Sequence, residues 1–382
     1  MSWQLSTNFP HGNAACAQVV QDGDIVEVRF AAHPHGGTET LWWCFRLSRS
    51  SDAAAGSADA GVIRLVWQHV DNCLGVSPNS APVLHPVIRH DGGNWQRLPA
   101  GTLRDDGRGC PMIFWESPAP VEWLEAAFCF PHGQPQIAAL ARQTGWHHDA
   151  IGISAAGREL IRVANDYGTP GDDRPGIYCV AHQHAAEMSG AWTLHGFLAE
   201  MARRGAAAPL VWSVPVLNVD GVVEGDYGKD PFPWDLNRAW GRPPMRAEVL
   251  VCMRDIERWR SRCRPRLCLD FHSPGGAEND GVYTFLFDPE ANPQAHAEGE
   301  RWAEAISAEL GEFAASRFTR IARYPSRFTT EQHSTFSRFY CQEELLGMTF
   351  EIPYHRIAER VLSQEDYLDI GRRMAVAVCR KL

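Results

Sequence analysis

The sequence predicts two successive folds: an antiparallel β-sandwich, then an α/β unit on a mostly parallel or mixed sheet. Three observations predict them. The first third alternates apolar and polar residues in short runs rich in Val, Trp and Phe. After about residue 150, strand-like and helix-like segments take turns. The chain has 382 residues, 45% hydrophobic and 21% charged, which suits two domains and a large core that needs no disulfide or metal staple.

In the first part, "DIVEVRFA", "ETLWWCFRLS", "GVIRLVWQHV", "WQRLP" and "VEWLEAAFCFP" read as strands bounded by Gly, Pro, Asn and Asp. Their Trp and Phe residues are the expected core of the sandwich. The Gly-rich run "SRSSDAAAGSADAG", Ser48 to Gly61, reads as a mobile hairpin loop. In the second part, "GIYCVA", "LVWSVPVL", "RLCLDFH", "YTFLF" and "GMTFEIP" read as strands. Helices are expected after "AEMSG" and over "RAEVLVCMRDIERWRSRC", "AHAEGERWAEAISAELGEF" and "SQEDYLDIGRRMAVAVCRK". The first starts near Ser189 or Gly190, sets Trp192, Leu194, Phe197, Leu198 and Met201 on one face, and stops at Gly205. The last opens with Ser363 and Asp366 in capping-box spacing. No internal repeat is present.

Charge and cysteine usage narrow the partners. The net charge of −10 argues against nucleic acid, because phosphate neutralisation wants a basic surface. The 11 cysteines are odd in number, contain no C-x-x-C pair and sit mostly in apolar runs, so they read as buried thiols of a reducing compartment. The opening "MSWQLSTNFPHG" lacks the pattern of a signal peptide, and no apolar run approaches the roughly 20 residues of a membrane span. A cytoplasmic protein without membrane attachment is expected.

The stretch "CVAHQHAAEMSG", Cys179 to Gly190, carries the chemistry. It puts His182, His184 and Glu187 on the turn past the end of the strand "GIYCVA", where open α/β sheets bind ligands. A His and a Glu in x-x spacing on a turn can converge on one point, and zinc accepts both ligand types. His182 alternates in phase with His184 and competes with it as a ligand; the x-x spacing favours His184, with His182 either behind it or in its place. A third ligand is offered by His272 at the end of "RLCLDFH", with Asp270 two residues earlier placed to orient an imidazole. His₂Glu with an open fourth position is a hydrolytic zinc arrangement. Glu351, at the end of "GMTFEIPYH", is a lone carboxylate among apolar residues. Burial there would hold its pKa near neutrality, which suits a general base. The turn-rich run Asn218 to Trp240 adds Lys229, Asn237 and Arg238, of which Arg238 could pair bidentately with a carboxylate. The plainest readings of the neighbours are packing for His195, a turn cap for Asp235 and a surface ion pair for Arg238.

With these pieces the chain resembles the zinc metallocarboxypeptidases, most closely the cytosolic carboxypeptidase-like branch that includes tubulin deglutamylases and many bacterial members. "AHQHAAE", "NVDGVVEGDYGK", "WDLNR", "DFHS" and "MTFEIPYH" occur in the family's order over residues 150–360. The Trp-rich sandwich and the junction "AAFCFPHGQPQIAALA" also look like that branch. The resemblance implies a β-sandwich over 1–135 and a catalytic domain over 136–382, built on a mixed eight-stranded sheet flanked by helices. It implies one zinc ion held by His184, Glu187 and His272. It makes Glu351 the general base and later the proton donor to the leaving amine, and it sets Asn237 and Arg238 on the substrate's terminal carboxylate. The implied reaction is hydrolysis of the last peptide or isopeptide bond of a peptide or protein C-terminus.

One departure bears on mechanism. The family's oxyanion-steadying arginine has its slot at Gly228, and Lys229 follows. The expectation is that Lys229 substitutes as a point charge, without the guanidinium fork. The mobile tyrosine of the digestive members has no assigned counterpart. Two other readings are a related amidohydrolase acting on N-acyl amino acids or peptidoglycan-type peptides, and a non-catalytic zinc or peptide-binding module. Arg323, Arg327 and Arg338 precede Glu351 and are candidates for a pocket that takes an acidic side chain.

Overall fold

The structure is a computed structural model and describes residues 3–37, 39–49, 61–105, 107–229, 234–321 and 332–382. The run expected to be a hairpin loop, Ser48 to Gly61, falls outside the described residues except at its two ends.

Two five-stranded sheets form the N-terminal part. One runs Trp3–Ser6, Cys44–Arg49, Trp123–Ala127, Val87–His90, Gln96–Arg97, and the other Ala15–Asp22, Ile25–Ala31, Val62–Trp67, Met112–Pro118, Thr102–Arg104. Alternation explains how they meet. Val26, Val28 and Phe30 of one strand and Ile63, Leu65 and Trp67 of the next are fully buried. Phe30 packs edge-on against Trp43 at 4.8 Å and Phe45 at 4.7 Å, joining the two inner faces. The expectation of antiparallel pairing fails at one place: Ile25–Ala31 and Val62–Trp67 run parallel. Between them the chain visits the other sheet at Cys44–Arg49, so it returns as a crossover and not as a hairpin.

The second part holds an eight-stranded mixed sheet, as expected. In chain order its strands are β1 (His147–Ile153), β2 (Glu159–Ala164), β3 (Pro175–Ala181), β4 (Leu210–Val214), β5 (Arg264–His272), β6 (Val282–Leu286), β7 (Ala314–Ile321) and β8 (Gly347–Glu351). They lie in the order β1-β2-β4-β3-β5-β8-β6-β7. The central strands β4, β3, β5 and β8 are mutually parallel, while β8 and β6 are antiparallel. The short apolar runs seen in the sequence are these central strands, buried on both faces. The strands β1 and β7 carry more exposed and polar residues, and their weaker pattern hid them, while in β2 a buried Arg162 interrupts the apolar run.

Helices cover both faces. α1 (Gln134–Thr144) opens this part, and α2 (Met188–Arg203) follows β3. A short α3 (Val219–Glu224) comes after β4, and α4 (Ala247–Arg260) precedes β5. α5 (Pro293–Leu310), α6 (Phe336–Gln342) and α7 (Gln364–Lys381) complete the set. On one face, Leu194, Phe197 and Met201 of α2 and Ile370 and Met374 of α7 share a core with Phe271. On the other, Ile256 and Trp259 of α4 and Phe336 and Tyr340 of α6 pack with Tyr178 and Trp212. The expected Ser363 cap is present, its hydroxyl accepting from the Asp366 N–H while the Asp366 carboxylate reaches back to Ser363 N.

The N-terminal sheets lean on the loops at the strands' C-terminal edge. Gly276 N–H donates to Leu74 O and Ala277 N–H to Gly75 O, while Asn13 Nδ2 donates to Gly225 O at 2.7 Å. Eight cysteines are buried and all 11 are free thiols. Among the described residues no helix is long and apolar enough to cross a membrane.

Candidate metal centre

Parallel register brings the chemistry to one edge. β3 and β5 pair with Ala181 opposite Phe271, and β5 pairs with β8 so that His272 stands beside Glu351. The turn after β3 carries His184, and Glu187 caps α2. His184 Nδ1 lies 2.8 Å from Glu187 Oε1, and His272 Nδ1 lies 2.6 Å from Glu187 Oε2. The two Nδ1 atoms are 3.2 Å apart. All three side chains are buried, and their candidate ligating atoms fall within 4.8 Å of one another.

The rear nitrogens are held as well. His272 Nε2 is 2.8 Å from Asp270 Oδ2, the orienting role expected of Asp270. His184 Nε2 is 3.1 Å from Asp235 Oδ1. A carboxylate behind each imidazole fixes its tautomer and turns Nδ1 toward the centre. Reading the sequence missed the part Asp235 plays here. The expected turn cap is real, since Asp235 accepts from Asn237 N–H at 2.8 Å, but the same oxygen also serves a histidine 51 positions away. No local spacing announces a contact of that range.

The donor set fits a divalent zinc-like ion: two imidazole nitrogens and one carboxylate converge in a buried polar pocket, each imidazole backed by a carboxylate. The charges agree. Burial would raise the Glu187 carboxyl, yet His184, Lys229 and His272 hold it well below the usual range. Burial opposes an imidazolium at His272, but Asp270 and Glu187 outweigh it and raise its pKa well above the ordinary value. Burial likewise opposes a charge on Asp235, and the neighbouring His184 brings its pKa down to about 2.

Glu351 ends β8 with Oε2 buried and, among the described residues, without a hydrogen-bond partner. Burial, then the negative charge of Glu187, pushes its pKa up to about 7. Lys229 reaches the centre, its Nζ 3.2 Å from Glu187 Oε1. Burial disfavours its charge, but Tyr227, Glu187, Glu351 and Glu39 keep its pKa well above that of a free lysine.

The structure explains the glycine in the expected arginine's slot. Gly228 sits at φ +92°, and a Cβ there would lie 2.3 Å from Ala185 N and 3.1 Å from His184 Cα. Backbone packs on backbone, so the ligand-bearing turn leaves no space for any side chain at this position. Ala186 N–H donates to Tyr227 O across the same contact at 3.2 Å.

Asn237, expected on the substrate's terminal carboxylate, lies deep in the site. It is 4% exposed, its Oδ1 accepts from Gln183 Nε2 at 3.2 Å and Phe336 N–H at 3.0 Å, and its Nδ2 lies 3.2 Å from His272 Nε2. Its amide oxygen ties the turn after β3 to the start of α6. Arg238 is half-buried, its guanidinium donating to Asn237 O at 2.8 Å. His182 points away from the centre: its Nδ1 donates to Ala185 O at 2.7 Å, and its Nε2 lies 3.3 Å from His132 Nδ1. His195, expected to be a packing residue, also meets His132, at 3.4 Å. Arg338 lines a cavity of about 140 Å³ with Phe285 and Ser337, while Arg323 and Arg327 lie outside the described residues.

No family model matches the chain. Cytosolic carboxypeptidase 6 of Caenorhabditis elegans is 25% identical over 181 residues, 41% of this chain and 39% of that protein. An uncharacterized protein of Zymomonas mobilis is 22% identical over 252 residues, 64% of this chain and 60% of its own length. The matched segments therefore span less than two thirds of either curated relative. Solved structures agree over nearly the whole length. A metallo-carboxypeptidase from Burkholderia cenocepacia superposes with TM-score 0.74 at 19% identity, covering 99% of this chain and 98% of that one. A metallo-carboxypeptidase from Pseudomonas aeruginosa, in complex with (2-guanidinoethylmercapto)succinic acid, gives TM-score 0.73 at 20% identity, with coverage of 99% and 98%.

Proposed function

Starting from a chain that has the metallo-carboxypeptidase fold, we propose that it is a zinc-dependent carboxypeptidase, hydrolysing the C-terminal peptide or isopeptide bond. The observation that carries the reading is the convergence of His184 Nδ1, the Glu187 carboxylate and His272 Nδ1 beside Glu351, a base that burial holds near neutrality. A zinc ion on those three ligands would supply a Lewis acid for the scissile carbonyl and lower the pKa of water.

The chain's own residues do the rest. Glu351 takes a proton from the attacking water and returns it to the leaving nitrogen, and its pKa suits both transfers. Lys229 brings a fixed positive charge to the centre, where negative charge develops on the carbonyl oxygen. Arg238 grips the free carboxylate of the substrate and sets exopeptidase register. Asn237, fixed beside Arg238 by its contacts to Gln183 and the Phe336 N–H, adds a hydrogen bond to the same carboxylate. Asp235 and Asp270 keep the two imidazoles in the ligating tautomer. The N-terminal sheets, read as a domain over 1–135, frame the entrance through their hold on the loops around Gly225 and Gly276.

The test is release of single amino acids from a library of free-C-terminus peptides, followed by mass spectrometry with and without a zinc chelator. Release that chelation abolishes supports the reading, and the residues released report the pocket. No release from any peptide by a zinc-loaded protein overturns it in favour of N-acyl or peptidoglycan-type substrates.

A further inference from the structure

Behind the ligand-bearing turn runs a row of three histidines. His182 Nδ1 is 2.7 Å from Ala185 O, His182 Nε2 is 3.3 Å from His132 Nδ1, and His132 Nε2 is 3.4 Å from His195 Nδ1. The carbonyl of Ala185 can only accept, so it orders the row. His182 must carry its proton on Nδ1, which leaves Nε2 to accept from His132 Nδ1–H, which leaves His132 Nε2 to accept from His195 Nδ1–H. His132 and His182 are fully buried. The row is anchored at His132 and at its Ala185 end. His132 lies in the segment that joins the N-terminal sheets to α1, and Trp192 of α2 packs edge-on against it at 4.8 Å while donating to Phe130 O. Ala185 lies between the two ligands of the turn, with Gly228 packed on its N–H side. His182 itself is held at φ +52°, a left-handed conformation that costs energy and persists only where surroundings enforce it.

We propose that His132 is a positioning residue: through His182 it fixes the Ala185 carbonyl, and with it the turn that presents His184 and Glu187. The proposal rests on the metal-centre reading, and its test can fail separately. The row runs away from the ligating atoms, so His132 acts on the centre only by holding backbone.

Two substitutions discriminate the hydrogen bond from bulk. An Asn amide nitrogen falls where the Nδ1 of histidine lies, so His132→Asn keeps a donor for His182. His132→Gln places its amide at the Nε2 end and loses that donor, at similar size and polarity. Zinc affinity by competition with a chromophoric chelator, and hydrogen exchange over residues 182–188 in the zinc-free protein, are the readouts. Expected are wild-type behaviour for His132→Asn, and for His132→Gln a zinc affinity weaker by about ten- to a hundredfold with faster exchange in that turn alone. Equal loss in both variants, or no loss in either, overturns the proposal. His132→Phe should match His132→Gln, and if it does not fold the Asn and Gln pair still decides. Neither readout needs turnover, so a wild type that binds zinc without hydrolysing peptides would overturn the proposed function and leave this test intact.

Discussion

Gly228→Ala is the sharpest perturbation that the structure offers. The added Cβ would meet Ala185 N at 2.3 Å, and ordinary contact begins near 3.4 Å, so the two backbones must part by about 1 Å. Neither neighbour is a side chain that can swing aside. Parting them stretches the Ala186 N–H bond to Tyr227 O, now 3.2 Å, beyond hydrogen-bond range. It also draws Lys229 away from Glu187, now 3.2 Å distant. A non-glycine residue at φ +92° adds strain of about 1–3 kcal/mol, and the lost hydrogen bond about 1 kcal/mol. The expected total is about 2–4 kcal/mol of unfolding free energy, read as a lower urea midpoint, with zinc binding weakened in parallel. Gly228→Arg, which restores the residue that the resemblance leads one to expect, should be no better, because the obstructed atom is Cβ. A Gly228→Ala protein with the wild-type midpoint and zinc affinity within twofold would refute the packing argument.

Other outcomes follow from the same geometry. Glu351→Gln should lose about two to four orders of magnitude in kcat while zinc affinity, measured by chelator competition, holds; retained turnover would remove Glu351 from the chemistry. Lys229→Ala should lower kcat more than it raises KM in steady-state peptide assays, since its charge sits at the centre and not at the substrate's carboxylate; unchanged turnover would leave the carbonyl oxygen to the metal alone. Zinc at a hundredfold its Kd should add about 2.7 kcal/mol to stability in calorimetry, and an unshifted melting temperature would deny a preformed site. Acid should destabilise the fold. Burial holds His195 at about 4 and His132 and His355 well below the ordinary value. The unfolded chain takes up those protons below pH 6.5 while the native one does not. Stability is thus complete above pH 6.5 and falls as pH drops toward 4, by on the order of 1 kcal/mol per buried histidine at pH 5.5. A urea midpoint flat from pH 7 to 5 would contradict that.

The part of the fold that the sequence discloses is the part that burial writes into it. β3, β5 and β8 carry short apolar runs because both faces of the central sheet are covered, and the candidate ligands and base stand at or just past their ends. Edge strands such as His147–Ile153 carry exposed and polar residues, so nothing in composition separates them from loops. At the centre, His184, Glu187, His272 and Asp270 were legible from spacing and strand-end position. Asp235, His132 and the inward turn of Asn237 were not, since their partners lie 35 to 99 positions away. Gly228 read as a missing arginine when it is a steric requirement of the neighbouring turn, a fact that only the approach of two backbones reveals.

The pairing of His272 with Glu351 has a consequence for how such a protein diversifies. Their separation is set by the hydrogen-bond ladder between β5 and β8, and a slip of one residue would turn one of them to the opposite face. The distance between ligand and base is therefore quantised and indifferent to what the surrounding loops do. Arg238 sits on the connection between β4 and α4, which can lengthen, shorten or change sequence without touching that ladder. Selectivity can drift by small steps while reactivity stays locked, so a directed-evolution campaign aimed at new substrates has reason to randomise the loops and leave the strand ends alone.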